Sequence, residues 1–178
     1  MAELPDTESA LLVPVPAAGR AVERLREELD PASVLGVPAH VTVLYPFIAP
    51  DTIDGRLVST LADLFASVPS FRFSLASVGW FGRDVVWLRP EPDEPFGRLT
   101  ELITGRWPEL QPYGGAHDQV VPHLTVADLP SDPRLDDAAR EVEASLPIAC
   151  LAEEVRLMTG STSPGSWTTR SRFPLADR

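Results

Sequence analysis

Two segments of the chain repeat one pattern of chemically capable residues. His40-Val41-Thr42-Val43 follows Pro38, and His123-Leu124-Thr125-Val126 follows Pro122. Only three histidines occur in the 178 residues, and two of them carry Thr at the second position onward. Each frame is apolar and β-branched, which predicts a strand. In a strand, residues i and i+2 share a face. His40 and Thr42 therefore face together, opposite Val41 and Val43, and His123 and Thr125 face together, opposite Leu124 and Val126. The apolar faces suit a core. A polar face on such a strand is costly to bury without partners, so a cleft is its best explanation. Two imidazoles and two hydroxyls suffice for acid–base cleavage of a phosphodiester without a metal. One imidazole deprotonates water, the other protonates the leaving oxygen, and the hydroxyls bind the phosphoryl oxygens.

The elements that position these residues follow from hydrophobic periodicity and from Pro/Gly punctuation. Residues 10–15 read as a strand near a sheet edge, because of Pro14, and 21–29 as a helix with Val22, Leu25 and Leu29 on one stripe. The first His strand spans 40–47, which puts Tyr45 with Val41 and Val43 on the core face. A helix is expected over 51–68, and a hairpin from 71–78 into 85–88 through Phe81-Gly82-Arg83-Asp84. Residues 90–95 read as a breaker, 96–103 as a short helix, and 105–122 as a long loop, a length that usually serves a function. The second His strand spans 123–127, followed by a helix over 133–146, one strand region over 148–158, a turn over 160–165 and a last strand over 166–173. Each His strand is followed by a helix and a strand, and the two motifs lie near half the chain apart. That order suggests a pseudo-symmetric pair of lobes with one His-x-Thr in each.

Length and a 44% apolar content suit one domain, residues 1–178, or two small lobes with a shared core. The net charge is −11, and every basic residue is Arg. Such a chain exerts no long-range pull on a nucleic-acid backbone, which argues against long RNA or DNA and for a small nucleotide or an RNA end. Cys150 is the sole cysteine and reads as a core residue, so no disulfide framework or thiolate metal site is expected. The first residues show neither a secretion signal nor a membrane span, so the expected location is cytoplasmic and no membrane partner is expected. A metal reading would recruit His117, His123 and Asp118 or Asp128, a spacing that matches no compact motif and leaves both threonines idle. No cofactor is expected. Phe81 at the hairpin and Tyr113 in the long loop are the aromatic candidates for stacking a base. Trp87 and Trp167 read as packing residues, and Arg170 and Arg172 as a solvated strand face that could meet phosphate.

The segments Pro38-Ala39-His40-Val41-Thr42-Val43-Leu44-Tyr45-Pro46-Phe47 and Val121-Pro122-His123-Leu124-Thr125-Val126-Ala127 resemble the two-histidine (2H) phosphoesterase superfamily. That group includes the bacterial 2′-5′ RNA ligase-like proteins and RNA cyclic phosphodiesterases. Gly79-Trp80-Phe81 through Trp87-Leu88, and Pro112-Tyr113-Gly114-Gly115, add weaker support. The resemblance implies an α+β, bilobal pseudo-two-fold fold: two small antiparallel sheets, helices outside and a central cleft. It implies His40, Thr42, His123 and Thr125 as the catalytic positions, with His40 as proton donor and His123 as base, although the likeness of the two segments leaves an exchange of roles open. The implied activity is metal-independent hydrolysis of a 2′,3′-cyclic phosphate or a related small nucleotide diester. A non-catalytic nucleotide-binding module and RNA 2′-5′ end joining are the alternatives. One departure stands out: many RNA-directed members carry Arg where this chain has Asp128, which moves weight from RNA toward small nucleotides.

Overall fold

The run Ala10 to Val13 is apolar on both faces and lies in β1 (Glu8–Pro14), which sits between two partners rather than at an edge. Pro14 is tolerated there because β7 (Glu154–Gly160) pairs only as far as Leu12, so the missing N–H falls where that neighbour has ended. In this computed structural model, residues 6–116 and 120–177 are described. They build two four-stranded antiparallel sheets. The first has the order β2-β1-β7-β8, with β2 at His40–Leu44 and β8 at Thr168–Pro174. The second has the order β5-β4-β3-β6, with β3 at Phe71–Phe81, β4 at Val85–Glu91, β5 at Leu124–Asp128 and β6 at Ile148–Ala152. Both His-bearing strands are thus edge strands. The α+β bilobal architecture expected above is the observed one.

The chain enters the first lobe, crosses to the second and returns. The region expected as one strand over 148–158 is two strands in different sheets: β6 pairs with β3, and β7 pairs with β1. The switch is written in the parity of burial. Cys150 and Ala152 are buried before Glu153, and Val155 and Leu157 after it. Pro90 does not break β4, which continues to Glu91. Pairing with β5 stops at Leu88, so Pro90 sits where that side of β4 is unpaired.

The helices are α1 (Gly19–Leu29), the single turn α2 (Pro31–Val34), α3 (Gly55–Ala66), α4 (Glu94–Arg106) and α5 (Leu135–Glu143). The helix expected over 51–68 is shorter, because a 3₁₀ turn occupies Pro50–Thr52 and Asp54 caps α3, its carboxylate accepting from Leu57 N at 2.8 Å. The one expected over 133–146 is likewise trimmed to α5. The expected loop over 105–122 begins only after Arg106 and carries a 3₁₀ turn at Pro112–Gly115. α1 leads into β2 yet packs on β5, while α4 leads toward β5 yet packs on β2. Val41 and Val43, and Leu124 and Val126, consequently bury into one core shared by both lobes. Among the described residues no helix is long and apolar enough to cross a membrane.

Candidate functional site

The two histidines are held identically. His40 Nδ1 lies 2.7 Å from Pro38 O, and His123 Nδ1 lies 2.7 Å from Val121 O. A carbonyl only accepts, so Nδ1 carries the hydrogen in both rings and Nε2 is left as the reactive nitrogen. His40 Nε2 is 3.2 Å from Thr42 Oγ1. The loop carrying Pro38 is itself tied down. Arg26, buried on α1, donates to Val37 O at 3.0 Å and to Asp30 at 2.9 Å, and the Asp30 carboxylate also accepts from Ala32 N.

Both His strands contain a β-bulge at the same place. Leu12 opposes Thr42 and Leu11 opposes Leu44, which leaves Val43 as the extra residue. Trp87 opposes Thr125 and Val86 opposes Ala127, which leaves Val126 extra. A bulge reverses the face of everything beyond it. Residues three past the histidine-paired threonines, Tyr45 and Asp128, therefore turn into the cleft instead of the core. Tyr45 is thus a wall of the site, a correction to its expected core position. The Thr100 hydroxyl on α4 donates to the bulged Val43 carbonyl at 2.8 Å, which pins the first bulge from the other lobe.

One cavity of about 570 Å³ is lined by His40, Thr42, His123 and Thr125, together with Phe81, Tyr113, Tyr45, Val85, Asp30 and Asp128. Every residue singled out as catalytic or base-stacking therefore reaches the same space. Tyr113 adopts a left-handed backbone (φ 52°), its N–H donates to Tyr45 O at 2.6 Å, and its side chain is hydrogen-bonded with Thr42. The long loop is thereby docked on the first His strand. Arg170 does not reach the cleft: it donates to Pro50 O and Ile53 O, both at 2.8 Å, while Arg172 pairs with Glu154. The metal grouping through His117 and Asp118 falls on residues 117–119, outside the described ones.

Each wall has an aromatic backing seated on a glycine. Phe81 stacks on Trp87 at 5.0 Å, and the His123 ring meets Phe81 edge-on at 4.9 Å. A Cβ on Gly79 would lie 2.4 Å from the Trp87 ring. Opposite, Tyr45 packs on Trp167 at 6.3 Å, and a Cβ on Gly160 would lie 2.4 Å from that ring. Trp87 and Trp167 are thus packing residues that support cleft aromatics. The Tyr45 hydroxyl donates to Glu8 at 3.0 Å.

Electrostatics disfavour the charged form of both imidazoles in the free protein. Burial, with smaller contributions from the charges of Arg26 and His123, lowers His40 to about 4 against the Pro38 hydrogen bond. Burial lowers His123 as well, opposed by the Val121 carbonyl. Burial, then Asp30 and Asp84, raises the Asp128 carboxyl.

Comparison with known proteins agrees with this geometry. Escherichia coli LigT, solved with 3′-AMP, superposes with a TM-score of 0.61 at 17% identity, over 96% of this chain and 99% of that one. The TT0787 protein of Thermus thermophilus superposes with a TM-score of 0.66 at 21% identity, over 96% and 99%. No curated protein matches the chain significantly in sequence. The profile of the 2′-5′ RNA ligase superfamily matches residues 13–163, a stretch that carries both His-x-Thr strands and both bulges, and the chain belongs to that superfamily.

Proposed function

We propose that the cleft hydrolyses a 2′,3′-cyclic phosphate, or a related small nucleotide diester, by paired-histidine acid–base catalysis. The observation that carries the reading is the matched pair of imidazoles, each with Nδ1–H fixed on the carbonyl two residues back and each followed two residues on by a threonine that lines the same cavity. Membership of the superfamily supports a phosphoesterase-type function, and LigT structures holding 3′-AMP, ATP and NADP+ fit a cleft that takes small nucleotides.

In this reading the Nε2 of one neutral imidazole takes a proton from water as the water oxygen bonds to phosphorus. The other imidazole, protonated, gives its proton to the ribose oxygen as the P–O ester bond breaks. The hydroxyls of Thr42 and Thr125 donate to the non-bridging oxygens. The two histidines exchange one proton with the reactants and need no metal to do so. The bound diester's negative charge favours the imidazolium and offsets the desolvation that keeps it neutral in the free protein. The charge of Arg26 opposes protonation of His40, whereas among the described residues no cation shifts His123. The free protein's electrostatics therefore favour His123 as acid and His40 as base, the exchange of the roles that the resemblance implies.

The test is a panel of cyclic mononucleotides, cyclic dinucleotides and RNAs with cyclic-phosphate ends, assayed in EDTA with His40→Ala and His123→Ala alongside. Hydrolysis should persist in EDTA, and each variant should lose about 10²–10⁴ in turnover. Full activity in both variants would overturn the reading, and nucleotide binding without turnover by the intact protein would make the chain a binding module. A p-nitrophenyl nucleotide ester, whose leaving group needs no acid, assigns the roles: the variant that lacks the acid regains activity on it.

A further inference from the structure

Two carboxylates line the cavity, and they differ in kind. Asp30 is buried, paired with Arg26 and engaged in capping Ala32 N. Asp128 is exposed, and among the described residues its carboxylate has neither a hydrogen bond nor an ion pair; its charged neighbours Asp30 and Asp84 are both acidic. The bulge at Val126 is what turns Asp128 into the cleft. A carboxylate placed there against like charges, with no cation to balance it, is suited to accept hydrogen bonds from a ligand.

Its surroundings say which ligand. Phe81 on β3 pairs with Val85 on β4, and Val85 pairs with Asp128 on β5. The three form one row across the mouth of the second sheet, and all three line the cavity. Neighbouring strands are about 4.8 Å apart, so the backbones of Phe81 and Asp128 lie roughly 10 Å apart. That span matches a purine stacked on Phe81 and extending over Val85. Phe81 is 37% exposed, with one face held by Trp87 and the His123 ring perpendicular to it, and the exposed part of the ring is where a base would stack.

We propose that the Phe81–Val85–Asp128 row is a base subsite selective for guanine, whose N1–H and 2-amino N–H donate side by side to the Asp128 carboxylate. Guanine alone among the RNA bases presents two adjacent donors on its Watson–Crick edge. Adenine and cytosine each set one amino donor beside a ring-nitrogen acceptor, which the carboxylate repels, and uracil flanks one N–H with two carbonyls. Charge-assisted hydrogen bonds are the stronger class, and an analogue that leaves them unmade is rejected. The inference rests on the nucleotide reading of the cleft and narrows its substrate to guanosine diesters.

The experiment compares kcat/KM for the four nucleoside 2′,3′-cyclic phosphates, and Kd for the four nucleoside 3′-monophosphates, in the parent protein, Asp128→Asn and Phe81→Leu. The parent should favour guanosine by about ten-fold or more. Asp128→Asn should lower guanosine to the level of the other three bases and so erase that preference, while Phe81→Leu should weaken every base. Asp128 is exposed, and circular dichroism checks that the variants remain folded. Equal values for the four bases in the parent, or a guanosine preference that survives Asp128→Asn, would overturn the subsite. Selective guanosine 3′-monophosphate binding that Asp128→Asn erases, without turnover of any cyclic phosphate, would support the subsite and overturn the hydrolytic reading instead.

Discussion

At the scale of single residues, the proposed chemistry depends on how easily two imidazoles take a proton. Burial lowers both below the ordinary histidine value, His40 to about 4. A base must be neutral, so its active fraction grows as pH rises through its pKa. An acid must be charged, so its active fraction shrinks as pH rises through its own. With both values lowered, the two limbs of the kcat/KM profile, which reports the free protein, lie on the acid side of pH 6.5. The kcat profile reports the complex, where the charge of the proposed diester would favour imidazolium, and should be displaced to higher pH. Steady-state rates from about pH 4 to 9 measure both curves. A kcat/KM maximum at or above about pH 7.5 would contradict the neutral pair.

At the scale of elements, the bulges and glycine seats decide which side chains the cleft presents. Gly79 offers no Cβ where the Trp87 ring lies, and Trp87 backs both Phe81 and His123. Gly79→Ala should therefore destabilise the protein by about 1–3 kcal/mol through overpacking. Gly97, inside α4, has nothing within 4 Å of a built Cβ, so Gly97→Ala should stabilise it by about 0.5–1 kcal/mol. Thermal or urea unfolding of the two variants should move the midpoint in opposite directions, and equal shifts would remove the seat from the account. These features also show what the sequence makes legible. His40-x-Thr42 and His123-x-Thr125 are readable because period-2 alternation assigns faces locally. The same alternation misplaces Tyr45, because a bulge is a property of pairing with β1, which no local pattern displays, although two consecutive apolar residues after each threonine, Val43-Leu44 and Val126-Ala127, are its trace. The division of 148–158 between sheets is legible in principle, since the buried positions change parity across Glu153. The support of Phe81 and Tyr45 by Trp87 and Trp167 is not, because it joins residues through contacts between strands.

At the scale of the molecule, the lobes are interlocked by β7 and β8, which return to complete the first sheet, and by α1 and α4, each packed on the other lobe's His strand. The cleft walls are thus set by a common core. Around that cleft the chain carries a net charge of −11, no arginine lines the cavity among the described residues, and Asp30 and Asp128 do. The diester proposed above would therefore be repelled at long range and held by hydrogen bonds at short range. Salt screens the first effect over about 10 Å at 0.1 M and leaves buried contacts largely untouched. Raising salt should hold or increase kcat/KM for a cyclic mononucleotide. A protein gripping nucleic acid through 6–10 phosphate contacts behaves oppositely, losing about 10³–10⁵ in affinity between 50 and 200 mM salt. Rates measured across that same interval on a cyclic mononucleotide and on an RNA with a cyclic-phosphate end decide between the two: a steep fall confined to the RNA would reveal a cationic path to the cleft and return long RNA to consideration, whereas flat or rising curves for both support a site built for a small diester.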